Sequence, residues 1–549
     1  MKTKIGIIFS AAILLTSIFS SPSLKYRGTK HETNLISNNE VKAATNQKSS
    51  GPSTLQKVET NPQKKWEALQ LNPLPSSKNL SYSFSNSTKV FTKPFPEQYQ
   101  TINGILSFRG GPFRNNGSMG TTVISKQKLV KSWSFQTSSS SGWGGGSGWT
   151  GQPSVIEWKP QEQKIMNLYS QFKTKSNFKE VVYGSLDGRV YFLDLATGKK
   201  TRNPINIQNP IKGSVALDPR GYPLLYVGQG IPQTGKIGMR IFSLIDGSQL
   251  AFIPGIDSYS FRGWGAFDGS ALFNREDDAM LVGGENGLVY FIKLNTKYDP
   301  KAKKIKISPV TSKYRYKLKN NSYQGIENSV AVFKNIAYFA DNGGGIQALD
   351  IIKKRPIWAN NAYDDTDASI VIENSNGTPF LYTGSEIDKQ GTKGYARIQK
   401  LNGLTGKVIW EKKVPGYSLK GNHPVNGGLL ATPIVGTGPL KGQVIFNISR
   451  YKTMNGGLLI SYDTVTGKEK WHLNLPNYAW SSTVAVYTKD NKAYLIQGDS
   501  VGNLHLISGS GKMLNKINLG ANIEASPVVV GQQVIVGTRG GKYISVNIQ

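Results

Sequence analysis

The 549-residue chain contains no cysteine. That absence excludes disulfides, thiol nucleophiles, Cys-type zinc sites and iron–sulfur clusters, and it excludes a lipid anchor on a cysteine after an N-terminal signal. Histidine is scarce, four in all. None stands beside a Gly-x-Ser-x-Gly elbow and no His-x-x-x-His occurs, so neither triad hydrolysis nor zinc chemistry has a local signature. Ala/Leu/Glu-rich runs are few, which argues against a helical fold. Phosphate-binding loops at a strand-to-helix junction are missing too, because every Thr-Gly-Lys here joins two strands.

Acidic charge is also in short supply. Sixty-six Lys and Arg face 34 Asp and Glu, a net charge of +32. The excess is spread along the chain rather than held in one tail. Such a field either serves solubility alone or draws the protein to a polyanion: an anionic cell-envelope polymer, lipid head groups or, through charge only, nucleic acid. The single long apolar run is Ile5 to Ile18, behind two lysines and ahead of small polar residues. That order is the layout of a secretory signal peptide, and the run is too short to span a bilayer comfortably. The reading is a signal over residues 1–20, with cleavage as late as 43 the alternative, and a secreted, extracellular or cell-wall-associated monomer with no membrane anchor after cleavage. Residues 42–104 are rich in Ser, Asn, Lys, Pro and Gln without a period of 2 or 3.6, which predicts a flexible tether.

What is abundant is glycine and aromatics, 60 Gly, 25 Tyr and 10 Trp, the material of short strands and tight turns. From residue 105 to 549 a pattern recurs. "GGIQALDIIKKRPIW", "ARIQKLNGLTGKVIW" and "GLLISYDTVTGKEKW" place Asp350, Asn402 and Asp463 eight residues before Trp358, Trp410 and Trp471. Each predicts a hairpin with an Asx-capped turn, a glycine at positive φ and a return strand. Ahead of each hairpin stands a small or hydroxyl residue and a β-branched run, at Ser154, Ser214, Ser270, Ser329, Ser369, Thr432, Ser482 and Ser526. Eight units of this length predict an all-β, eight-bladed β-propeller of four-stranded antiparallel blades. The last unit lacks its return strand, and an orphan one, "KLVKSWSFQT" around Trp133, precedes the first, so the N-terminal strand should complete the C-terminal blade.

These residues resemble the PQQ-like repeat of eight-bladed propellers, a family that includes quinoprotein dehydrogenases and the outer-membrane assembly factor of Gram-negative bacteria. The resemblance implies that Trp133, Trp358, Trp410 and Trp471 dock on neighbouring blades. It also brings an alternative function, a quinoprotein-like oxidoreductase binding PQQ and Ca2+. The adjacent Cys pair of many such enzymes is missing, no catalytic residue carries over, and no cofactor is expected in the first reading. The second and third units lack the Thr-Gly-Lys…Trp half and should be irregular.

Two residues before each hydroxyl entry stand Gln152, Lys212, Asp268, Glu327, Asp367, Leu430, Trp480 and Glu524, the position where an innermost strand leaves the channel mouth. Asp268, Glu327, Asp367 and Glu524 thus form a ring able to take a hard cation or an amine, or they merely solvate the mouth. Trp149, Trp264, Tyr323, Tyr363 and Trp480 offer an aromatic rim for a sugar, peptide or planar ligand, or brace loops. His423 sits in a loop near the same mouth. Asp364, Asp365 and Asp367 are dense enough for calcium but fall short of an EF-hand loop. The function expected is a binding or scaffold propeller for a protein or an anionic polymer.

Overall fold

Runs such as Leu224–Gly228, Ile336–Ala340 and Ala493–Gly498 are buried at every position, as strands covered on both faces must be. Outer strands such as Glu469–Leu475 alternate exposed and covered residues instead. The computed structural model describes residues 66–549 apart from 150, 233, 361–362, 389 and 421–424. The expected signal peptide, the start of the expected tether and His423 lie outside the described residues. The chain is all-β, with eight small antiparallel sheets forming an eight-bladed propeller. Blade one spans 154–206, two 216–254, three 272–318, four 331–360, five 371–416, six 434–475, seven 484–518 and eight 528–548 with 129–136. Apolar clusters lie between successive blades, so each blade buries its faces on two neighbours. Among the described residues no helix is long and apolar enough to cross a membrane.

The ring is closed by Leu129–Gln136, which pairs antiparallel with Lys542–Ile548 and sets Trp133 opposite Ser545. Blade three is irregular, as expected, with a two-stranded hairpin of Lys297–Asp299 and Lys304–Lys306 inserted before its outer strand. Blade two is regular. Gly247, at φ +80°, makes its outer turn, and the register bulge between Ile241 and Phe242 matches that of the other hairpins. A turn of this kind needs the glycine, not the full Thr-Gly-Lys…Trp signature.

Residues 66–104 differ from the flexible tether their composition suggests. Leu80–Phe84 adds a fifth strand to blade three. Leu80, Val90, Phe91, Phe95 and Tyr99 are buried in the core between blades three and four, and Trp66, Leu69, Leu71 and Leu74 pack on the core between four and five. The Asp277 carboxylate fixes the strap by accepting the N–H groups of Thr92 and Lys93. A handful of aromatics seated on existing cores outweighs the ordering entropy that the polar composition alone does not offset.

The segment that follows lines the inside of the ring. Its carbonyls accept the free inner-strand N–H groups of the blades: Asn103 from Glu157, Leu106 from Leu217, Pro112 from Val332, Phe113 from Ile372 and Gly117 from Val529. Asn115 exchanges two hydrogen bonds with Val435. Thr122 donates to Tyr487 O. Two fully buried arginines act as spokes. Arg109 donates to Thr483 O and Pro433 O, and Arg114 to Val330 O and Ser270 O. Carbonyls replace the carboxylates a buried guanidinium usually meets, and burial lowers both groups to about 10.

Candidate functional site

Six successive hydroxyl entries, Ser270 to Ser526, form a belt that joins blade to blade. The backbone N–H of Ser270 donates to Ser329 Oγ, that of Ser329 to Ser369 Oγ, and so on through Thr432 and Ser482 to Ser526, at 2.9–3.2 Å. Ser214 Oγ accepts instead from the N–H of Gln152, two residues ahead of the Ser154 entry, and the Ser526 N–H donates to Gly151 O. A small hydroxyl recurs because each must reach across to the next strand while leaving its own N–H to the one beyond.

Immediately above the belt lie the mouth residues. Lys212 forms an ion pair with Asp268 and stands 3.8 Å from Glu327. Asp268, Glu285 and Glu327 bring carboxylate oxygens within 4.8 Å of one another. Asp367 and Glu386 face each other beside them. Glu524 closes the far side, accepting from Asn522 at 2.9 Å and lying 3.7 Å from Arg539. Asn342 links Glu327 to Asp365, and Arg262 donates to Asn342.

The electrostatics follow from burial. Glu285 is held well above the ordinary carboxylate range by burial and then by Glu327 and Asp268. Asp367 is raised likewise by burial, Glu327 and Glu386, and Glu386 by burial and Asp365. Burial raises Asp268 against the pull of Lys212, and raises Glu524 against that of Arg539. For Lys212 burial favours the neutral amine, but the Asp268, Glu327 and Glu285 carboxylates outweigh it and hold the ammonium charged. The mouth therefore gathers carboxyl groups whose ionised form is poorly compensated, so that they hold protons above the ordinary carboxylate range, in a chain of net charge +32.

Of the residues singled out from the sequence, Asp268, Glu327, Asp367 and Glu524 do gather here. Trp149 joins them, its ring 5.7 Å from the Lys212 ammonium. Trp480 lies against Tyr478, and its indole N–H is buried without a hydrogen-bond acceptor. Trp264 and Tyr363 are exposed at 38% and 58%, and Arg397 stacks on Tyr363. Tyr323 is also exposed. Asp364 stands apart from this group. Its carboxylate accepts Asp365 N–H, Asp388 N–H and Gln390 Nε2 and so fixes a loop. Among the described residues the cation-sized grouping is Asp268, Glu285 and Glu327, not Asp364, Asp365 and Asp367.

Glu285 and Glu386 were missed from the sequence. Both stand two residues after the end of a blade's second strand, as "VGGE" and "TGSE", and the same offset gives Asn342 and Arg539. Aligning this second repeat position, not only the first, would have found them.

The tryptophans lie at the periphery. A Cβ on Gly198 would come 2.5 Å from the Trp133 ring, one on Gly406 2.7 Å from Trp358, and one on Gly467 2.8 Å from Trp410. Trp471 covers Gly511 in the same manner. The Trp133, Trp358 and Trp410 indole N–H groups donate to Leu195 O, Gly403 O and Thr464 O of the adjoining blade.

No curated protein matches the sequence. Among solved structures, the quinohemoprotein alcohol dehydrogenase of Comamonas testosteroni is 13% identical with a TM-score of 0.55, covering 81% of this chain and 80% of that one. Quinohemoprotein alcohol dehydrogenase ADHIIG of Pseudomonas putida HK5 is 13% identical at 0.53, with the same coverage. BamB of Moraxella catarrhalis is 14% identical at 0.48, covering 76% of this chain and 99% of that one. At such identities the likeness concerns fold alone. Residues 396–549 match the family model described as outer membrane protein assembly factor BamB, and the chain is an eight-bladed propeller with PQQ-like repeats similar to those of that family.

Proposed function

We propose that the chain is an exported binding or scaffold propeller that holds a partner at its acidic mouth and does not turn over a substrate. The observation that carries this reading is the gathering of Asp268, Glu285, Glu327, Asp367, Glu386 and Glu524 at one mouth, with Lys212, Arg262 and Arg539 as the cations beside them. Six carboxyl groups outnumber the cations there, and an arriving positive charge favours their ionised form, so the group that best completes the site is a cationic side chain or amine from a partner. Trp149, its ring 5.7 Å from the Lys212 ammonium, adds apolar and cation–π surface beside it. The assembly-factor name of the matching family model supports a scaffold that holds protein, and the apolar run after the N-terminal lysines supports export.

The oxidoreductase alternative needs PQQ and Ca2+, and the mouth does not fit them. Lys212 already places a cation inside the Asp268–Glu285–Glu327 group, where a divalent ion would meet the ammonium. Thermal shift separates the readings. Spermidine, as a polyamine probe, is expected to raise the melting temperature of the wild type and not of Glu285→Gln/Asp367→Asn, while PQQ with Ca2+ shifts neither. A shift with PQQ and Ca2+ together with dye-coupled alcohol oxidation would overturn the binding reading.

A further inference from the structure

The outer strand of blade three, Val310–Leu318, reads "VTSKYRYKL" and runs into Lys319. Its even positions Tyr314, Tyr316 and Leu318 are buried against blade four. Its odd positions Lys313, Arg315, Lys317 and then Lys319 therefore share the opposite face, spaced about 7 Å apart along an extended strand. The neighbouring strand Leu80–Phe84 sets Ser83 beside Arg315 and Ser81 beside Lys317. The loop after blade two's outer strand walls the row with Tyr259 and Phe261.

These cations are held in place, unlike ordinary surface lysines. The Arg315 guanidinium lies 4.2 Å from the Tyr259 ring centre and 4.5 Å from that of Phe261, and donates to Tyr259 O and Ser83 Oγ. The Lys317 ammonium lies 4.2 Å from the Phe261 centre. Lys313 is paired with Asp257 at 2.6 Å, but among the described residues neither Arg315 nor Lys317 has a carboxylate within 4 Å. Rotamer freedom has been given up with no counter-charge in return, so an arriving anion gains the pairing without that ordering cost.

We propose that this row is a docking strip for an extended, linear phosphate polymer. Evenly spaced cations along a straight strand fit a repeating charge, and the hydroxyls of Ser81 and Ser83 add donors for phosphate oxygens in the same register. Phe261, although 51% exposed, is engaged by both cations, so it orders them and is not left free to stack a base. The strip belongs to the blade wall and not to the mouth, and it stands whether or not a cation binds there.

The test measures binding of labelled inorganic polyphosphate to the full chain by anisotropy, over a range of salt. Arg315→Gln/Lys317→Gln is expected to weaken binding about tenfold and to lower the log–log salt slope by about 1.4, two contacts' worth for a single-stranded polyanion. Lys512→Gln/Lys516→Gln, which removes the same charge from blade seven, is expected to stay within about twofold. Phe261→Ala, which changes no charge, is expected to weaken binding about threefold by loosening the row. All variants should melt like the wild type and keep its spermidine response. Equal losses in the two double variants would assign binding to net charge and overturn the strip, as would no loss in the first. Tighter binding of oligo(dT) than of polyphosphate would assign the strip to single-stranded nucleic acid and overturn the phosphate-polymer proposal.

Discussion

The Trp410 indole of blade five lies flat on Gly467 of blade six, while its N–H donates to Thr464 O of the same turn. One glycine therefore meets two demands, a φ of +65° and a neighbour too close for a Cβ. The repeat's glycine and tryptophan are not partners within one hairpin; each serves the hairpin of the adjoining blade.

Substitution of that glycine should expose the double demand. Gly467→Ala is expected to destabilise by about 3 kcal/mol, combining backbone strain with displacement of the indole. Gly377→Ala carries the same strain at φ +84° but has nothing within 4 Å, and is expected to cost about 1 kcal/mol. Urea melts of the pair, compared at equal m-value, measure the difference.

The hydroxyl belt can be cut at one link. Ser482→Ala removes the acceptor of the Thr432 N–H and leaves a buried donor unpaired, at an expected cost of about 1 to 3 kcal/mol. Ser482→Thr retains the oxygen and should recover most of it in the same melts.

Lys212 is expected to be indispensable to the mouth at neutral pH. Lys212→Met abandons Asp268, which is fully buried, and should destabilise by about 3 kcal/mol. Because the Asp268–Glu285–Glu327 oxygens are then without an internal cation, Ca2+ or Mn2+ should raise the melting temperature of Lys212→Met and leave the wild type unmoved.

Acid titration should report the mouth with a reversed slope. Glu386 is held above the ordinary carboxylate range in the fold by burial and Asp365, so in the window above that range the folded state keeps a proton that the unfolded chain has lost. Stability from this group is present at low pH and falls as pH rises through the window. Glu386→Gln should melt higher than the wild type at pH 8, with the gap closing toward pH 4.

Blade number and ring closure were legible because a hydroxyl before a β-branched run, and an Asp or Asn eight residues before a tryptophan, are each demanded by contacts repeated around the ring. Trp133 betrayed the closing strand by lacking a first half of its own. Strap residues Phe91, Phe95 and Tyr99 were not legible, since each enters a core built by other blades and leaves no period along its own segment. Glu285 and Glu386 sat in turns where acids are commonplace, and only their meeting in three dimensions, Glu285 with Asp268 and Glu327 and Glu386 with Asp367, gives them meaning.

The closing strand also dictates an order of events. Leu129–Gln136 is synthesised long before Lys542–Ile548, its only ladder partner among the described residues. As the chain emerges, blade eight cannot form until Lys542–Ile548 has been made, and the segment that lines the ring must wait beside unfinished neighbours. Closure of the ring thus joins strands made more than 400 residues apart, and a chain cut short of Lys542 would leave Leu129–Gln136 an unpaired edge.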